Sequence, residues 1–277
     1  MMHRAVDGEG LLFIHGAGSR ALVWQLQLLA FPRAQAPDLP GHAGGSPQAV
    51  GVQGSVGPEG AHPGVDGYLE ALRAMLGPGR DRIVAGHSLG GAIALRWALA
   101  HPQEVRALIL VGTGARLRVA PPFLEGIRTG DPETIEQFGA AWFAPQTPAR
   151  LREKSLLLLR AIPPPVLLAD LLAADQFDVM GEVGRLSLPT LVICGAEDRL
   201  APVKFSQYLH DQIRGSELVL VREAAHMVMI EQPRATNAAI RTFLERLDHE
   251  RGPRLDQERA PRSEGRRDQE ARDERHD

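Results

Sequence analysis

Residues 84–91 read VAGHSLGG, with Ser88 between Gly86 and Gly90 in the spacing G-x-S-x-G. Here an apolar run gives way to a helical pattern. A serine at a sharp strand-to-helix turn is exposed for attack on a substrate, and flanking glycines are needed where side chains would clash with neighbouring backbone. The helix start behind it offers unpaired N–H groups and the positive end of a dipole. The same eight residues also suit a plain glycine turn with a capping serine, and on them alone the two readings weigh equally. A serine hydroxyl is a poor nucleophile, so the first reading demands a base, and the base demands an orienting acid. Two downstream segments supply them. TLVICGAEDRLAP (190–202) carries Glu197 and Asp198 after an apolar run, and ELVLVREAAHMVMIEQP (217–233) carries His226 after another. The order is serine, acid, histidine, and each follows a strand, where parallel sheets place their sites.

The elements that must hold these residues alternate. Leu11–His15, Ala34–Pro37, Ile83–Ala85, Ala107–Val111, Thr190–Cys194 and Glu217–Val221 read as strands. Several are continuous apolar runs, as in strands buried on both faces. Helical patterns cover Ala21–Phe31, Val65–Leu76, Leu89–Ala100, Val203–Ile213 and Arg234–Leu247. Strand alternating with helix predicts an α/β fold, a mostly parallel sheet with helices on both faces. Two stretches break the order. Gly41–Gly67 is rich in Gly, Pro and Ser and reads as a long surface loop. Residues 115–185 show helical stretches punctuated by prolines and no strand pattern, so a helical cap inserted between two strands is expected. The domain reading is a core over 1–114, a cap over 115–185, the core again over 186–248, and a charged tail over 249–277 with too few apolar residues to order itself.

Composition excludes other classes. The chain has 277 residues, 44% hydrophobic and 23% charged, and a net charge of -3. That suits one globular domain and gives no global field for nucleic acid. The single cysteine, Cys194, permits no intrachain disulfide and fits a cytoplasmic setting. MMHRAVDGEG at the start has no apolar signal core. The greasiest stretch, SLLLLRAIPPPVLLADLL (155–172), is interrupted by Arg160, three prolines and Asp170, so no membrane span is expected.

Taken together, the segments resemble the α/β-hydrolase superfamily, in its lid-bearing serine esterase and lipase-like branch. LLFIHGAG is similar to the family's strand ending in His-Gly, and DLPGHAGGS to its D-x-P-G-H-G-x-S loop with one extra residue. GHSLGG matches the nucleophile elbow, GAEDRLAP the acid loop and AAHMVMIEQP the histidine loop. The resemblance runs from about Leu11 to Leu247. It implies Ser88 as nucleophile, His226 as general base and Asp198, which matches the family's aspartate, as the acid, with Glu197 steadying the loop or facing solvent. The alternative acid position of some relatives, after the preceding strand, reads GTGAR and offers none. The resemblance also implies an oxyanion hole from the backbone N–H groups of Ala17 and Leu89. No cofactor or metal is implied. The family has two more strands before the His-Gly strand, so a sheet truncated at that edge is expected.

The activity expected is hydrolysis of a carboxylic ester of a small or medium-sized substrate through an acyl-enzyme. The same triad could instead cleave a carbon–carbon bond, a lactone or an amide, and a chain of this fold could bind a small ligand without catalysis. Other residues take plainer readings. His15 and His42 are read as structural hydrogen-bonding groups, His87 as pointing away from the site, and Cys194 as a small buried hydrophobe. Glu231-Gln232-Pro233 is read as the end of the histidine loop and the start of the last helix. Trp142 and Phe143 are read as lining an acyl pocket or packing the cap.

Overall fold

The computed structural model describes residues 7–42 and 64–251. Among them, β1 (Leu11–Ile14), β2 (Arg82–His87), β3 (Val105–Val111), β4 (Thr190–Gly195) and β5 (Glu217–Val221) form one sheet in that spatial order. Every pairing is parallel, with Leu11 opposite Ile83, Ile83 opposite Ala107, Ile109 opposite Leu191 and Leu191 opposite Glu217. The period of two in a strand divides the core into two layers. Phe13, Ala85 and Ile109 face Trp24, Phe243 and Leu244, whereas Ile14, Val84 and Leu108 face Leu72, Ile93 and Trp97. Apolar side chains on both faces are thus covered by helices. These are α1 (Gln25–Ala30), α9 (Val228–Glu231) and α10 (Pro233–Arg251) on one side, and α2 (Gly64–Leu76), α3 (Leu89–Ala100) and α8 (Val203–Gln212) on the other. Each fully buried Leu, Ile or Phe contributes about 1.5–3 kcal/mol of transfer free energy.

The strand expected at Ala34–Pro37 is not formed. A single parallel bridge joins Gln35 to Leu12, with Phe13 N–H donating to Gln35 O at 2.8 Å and Gln35 N–H to Leu11 O at 2.9 Å. Pro37 brings no N–H to extend the ladder, and Pro32 closes the other end. At the other stretches in doubt, the expected loop over 41–67 has 43–63 outside the described residues, and its last residues already belong to α2. Residues 249–251 of the expected tail continue α10, and 252–277 lie outside the described residues.

Between β3 and β4 the chain forms four helices, α4 (Pro121–Thr129), α5 (Pro132–Ala140), α6 (Ala149–Arg160) and α7 (Pro164–Gln176). The prolines that punctuate this stretch start helices rather than break them: α4, α5 and α7 each carry proline in their first turn, where no N–H is needed. The two ends of the insertion meet at a neck, where Val179 N–H donates to Ala115 O at 2.8 Å and Leu117 N–H to Phe177 O at 3.3 Å. Among the described residues no single helix is long and apolar enough to cross a membrane. The pair α6 and α7 is apolar enough jointly but bends by 101°.

Candidate active site

The elbow is strained. Ser88 lies at φ 52°, ψ −117°, between the end of β2 and the first residue of α3. A non-glycine residue in this region costs on the order of 1–3 kcal/mol and persists only where its surroundings fix it. Here Ser88 N–H donates to Val111 O at 3.0 Å, and the Thr113 hydroxyl donates to Ser88 O at 2.8 Å. Both motif glycines are sterically required. A Cβ on Gly86 would stand 2.1 Å from Gly90 O, and one on Gly90 would stand 2.2 Å from Ile14 O.

His226 is carried on the loop after β5 and Asp198 on the loop after β4. The His226 Nδ1–H donates to Asp198 Oδ2 at 2.9 Å. The other carboxylate oxygen, Oδ1, accepts from Leu200 N and Ala201 N, each at 2.9 Å. Asp198 is 5% exposed and His226 4%, so the pair is held away from water with its acceptors satisfied. Because a carboxylate only accepts, the shared proton sits on Nδ1, and in the neutral ring Nε2 is then the acceptor. Glu197 takes no part in it: its carboxylate accepts from Gln146 Nε2 at 2.7 Å.

His87 departs from its expected orientation. Its ring lies 4.6 Å from that of His226, and its Nε2–H donates to His226 O at 3.0 Å. Burial, then the nearby His226, holds its pKa well below 6.5, so it stays neutral. The turn at Ser88 throws the side chain of residue 87 beneath the histidine loop, an effect that no spacing in the sequence announces.

Ser88, His226 and Ala17 line one cavity of about 250 Å³. Apolar side chains from the insertion close it, Phe123, Phe138, Trp142 and Leu171 among them, while Phe143 packs close by without lining it. Among the described residues, the backbone N–H groups of Ala17 and Leu89 donate to no protein acceptor.

Two carboxylates had no functional reading in the sequence. Glu231, at the end of α9 with α10 following from Pro233, also joins the histidine loop to the insertion. Its Oε2 accepts from Ala225 N at 2.8 Å, and its Oε1 from Ala144 N at 2.8 Å and from the Thr147 hydroxyl at 2.6 Å. Asp170, on α7, is fully buried and accepts from Gly18 N at 2.9 Å, next to Ala17. His15 and His42 are buried and hydrogen-bonded in the same region, as expected of structural groups. Cys194 is buried, and burial pushes its thiol up to about 11, so it is no nucleophile at neutral pH.

A parallel sheet, a strained serine between strand and helix, and a histidine–aspartate pair on the loops after β4 and β5 define an α/β hydrolase. Residues 11–239 match the model of the alpha/beta hydrolase family, and the chain belongs to that family. It is 29% identical over 249 residues to a pimeloyl-[acyl-carrier protein] methyl ester esterase of Neisseria meningitidis serogroup A, covering 84% of this chain and 75% of that one. Among solved structures it is similar to a thermophilic esterase, with 34% identity, a TM-score of 0.72, and coverage of 87% and 91% of the two chains. It is also similar to a hydrolase from Pseudomonas aeruginosa, with 27% identity, a TM-score of 0.73, and coverage of 85% and 90%.

Proposed function

We propose that this hydrolase cleaves carboxylic esters of small or medium-sized substrates through an acyl-enzyme on Ser88. The observation that carries the reading is the 2.9 Å hydrogen bond from His226 to Asp198, beside a Ser88 held at positive φ in the same cavity. In this mechanism Nε2 of His226 takes the proton from Ser88 Oγ as Oγ adds to the ester carbonyl. The carbonyl oxygen becomes an oxyanion received by the N–H groups of Ala17 and Leu89, each such donor being worth about 3 kcal/mol in the transition state. The imidazolium, steadied by Asp198, returns the proton to the departing alcohol. Water then adds to the acyl-enzyme by the same route and releases the acid. The similarity to esterases supports the ester as the bond cleaved.

In the same reading, α4 to α7 form a cap whose aromatic side chains set the acyl preference. The single, buried Cys194 is consistent with a cytoplasmic protein. The test is a panel of nitrophenyl esters from acetate to palmitate, extended to methyl esters of dicarboxylic acids because the relatives' name points to that class. An active-site-directed phosphonate should label the peptide that contains Ser88. A protein that binds these esters without turnover, or prefers lactones or amides, overturns the ester assignment. Labelling at another serine overturns the nucleophile.

A further inference from the structure

Where the insertion meets the loop that follows β1, it brings a buried charge. Asp170 is the buried carboxylate of α7, a helix whose other buried residues are Val, Leu and Ala. Burying a carboxylate costs several kcal/mol unless donors cover it. Three donors do, from three separate parts of the chain. Gly18 N–H and His42 Nε2–H both reach Oδ2 at 2.9 Å, and the Tyr68 hydroxyl of α2 reaches Oδ1 at 2.6 Å. The Tyr68 pKa is pushed up by burial and then by the Asp170 charge, so its O–H remains a donor. The Nδ1 side of His42 faces Leu39 O and Pro40 O, each at 3.2 Å, so both ring nitrogens meet acceptors. Burial disfavours the charged ring, but Asp170 together with the Pro40 and Leu39 carbonyls outweighs it, and the His42 pKa lies above 6.5.

The loop held in this way carries the oxyanion donor. Gly18 sits at φ 63°, and its N–H belongs to the peptide that follows Ala17. On the other side of Ala17, His15 is fixed as well: its Nε2 accepts from Leu39 N at 2.8 Å and its Nδ1–H donates to Gly16 O at 2.9 Å. The His15 and His42 rings meet edge-on at 4.8 Å. Ala17 is therefore clamped between two anchors, and one of them comes from the cap.

We propose that Asp170 is a positioning residue for catalysis: by accepting from Gly18 N–H it holds the Ala17 N–H where the transition-state oxyanion forms, and so links the seating of the cap to the oxyanion hole. The inference rests on the esterase reading above. A carboxylate suits this place because it only accepts. An asparagine would turn its NH2 group either toward Gly18 and His42 or toward Tyr68, and the donors on that side would lose their acceptor.

The test is Asp170→Asn, checked for folding by circular dichroism. Substrate turnover is measured together with the affinity of an aryl trifluoromethyl ketone. Ser88 Oγ adds to that ketone's carbonyl carbon, its proton passes to His226, and the oxygen becomes an anion in the oxyanion hole with no leaving group. The expected result is a fall in kcat of about ten- to hundredfold with KM little changed, and an equal loss of ketone affinity. That range lies at or below the 10²–10³ cost of removing an oxyanion donor outright. A merely structural role would lower the melting temperature and leave both quantities unchanged in the folded variant, and that outcome overturns the proposal. If Asp170→Asn does not fold, Tyr68→Phe carries the same test. With Oδ1 released, kcat and ketone affinity should fall together by about threefold or more, and an unchanged pair overturns the proposal. Phosphonate labelling of wild-type Ser88 separates the two levels. Without it the esterase reading fails, whereas intact labelling with indifferent variants removes only the role of Asp170.

Discussion

Asp198 and Glu197 are adjacent in sequence but turn to different partners: Asp198 Oδ2 accepts from His226 Nδ1 at 2.9 Å, while Glu197 accepts from Gln146 on the insertion. The acid's task is to hold the imidazole tautomer and stabilise the imidazolium, so an amide in its place is costly even when geometry survives. Asp198→Asn should lower turnover by about a thousandfold or more. Glu197→Gln should stay within about tenfold, the equivalent of about 1.4 kcal/mol. Steady-state rates of both variants, with circular dichroism for folding, decide between the two acids. A crippled Glu197 variant beside an active Asp198 variant would reverse the assignment.

Ser88→Ala should fold, lose several orders of magnitude in turnover and escape phosphonate labelling, because the covalent route disappears. It should also be no less stable than the wild type on account of the missing hydroxyl, since the backbone holds the elbow through Val111 O and the Thr113 hydroxyl. Residual turnover within tenfold of wild type would mean that another group attacks the substrate.

The sheet and the three triad candidates were legible because their signals are local. Ser88 lies within a spaced pair of glycines, and Asp198 and His226 follow directly on apolar strands, so a few consecutive residues announce each. Asp170 had no such signal. It is a single carboxylate in a greasy stretch, read as a mark against a membrane span, and its partners Gly18, Tyr68 and His42 lie between 102 and 152 residues away. The role of Glu231 was hidden in the same way, by contacts to Ala144 and Thr147 more than eighty residues earlier. The strand expected at 34–37 failed for a local reason, because prolines at both ends starve the ladder of donors. Long-range hydrogen bonding to a buried charge leaves no periodicity for a sequence reading to detect.

Trp142 is 3% exposed, lines the cavity, and meets Phe138 edge-on with ring centroids 5.5 Å apart. Its carbonyl accepts from Met227 N at 3.0 Å, beside His226. Trp142→Ala removes the ring and keeps the backbone contact. Stability should fall by about 3–5 kcal/mol, the usual cost of emptying a buried aromatic site. The ester of highest kcat/KM should move to a longer acyl chain, because the vacated volume opens into the cavity. A nitrophenyl ester series on the folded variant reads the shift. A destabilised protein with an unchanged chain-length profile would assign Trp142 to packing alone.

The buried histidines predict an asymmetric dependence of stability on pH. Burial, then the neighbouring His42, lowers the His15 pKa from 6.5 to about 4, and His87 also lies well below 6.5. A histidine whose folded pKa is depressed contributes stability that is fully present above its unfolded value of 6.5. That contribution is lost as pH falls toward the folded value, because the unfolded chain takes up a proton that the folded chain refuses. His42 has the opposite sign. Its folded pKa is raised, so its contribution is complete below 6.5 and is lost as pH rises through the folded value. It cannot offset the loss on the acid side. The melting temperature should therefore peak near neutral pH and fall between pH 6.5 and 4, with His15 alone accounting for about 3 kcal/mol across that window. His15→Gln, which keeps an acceptor for Leu39 N without a titrating ring, should show a lower maximum and a shallower fall over the same interval. Thermal unfolding of both proteins in matched buffers gives the two slopes. Equal slopes would show that His15 is not the group that refuses the proton.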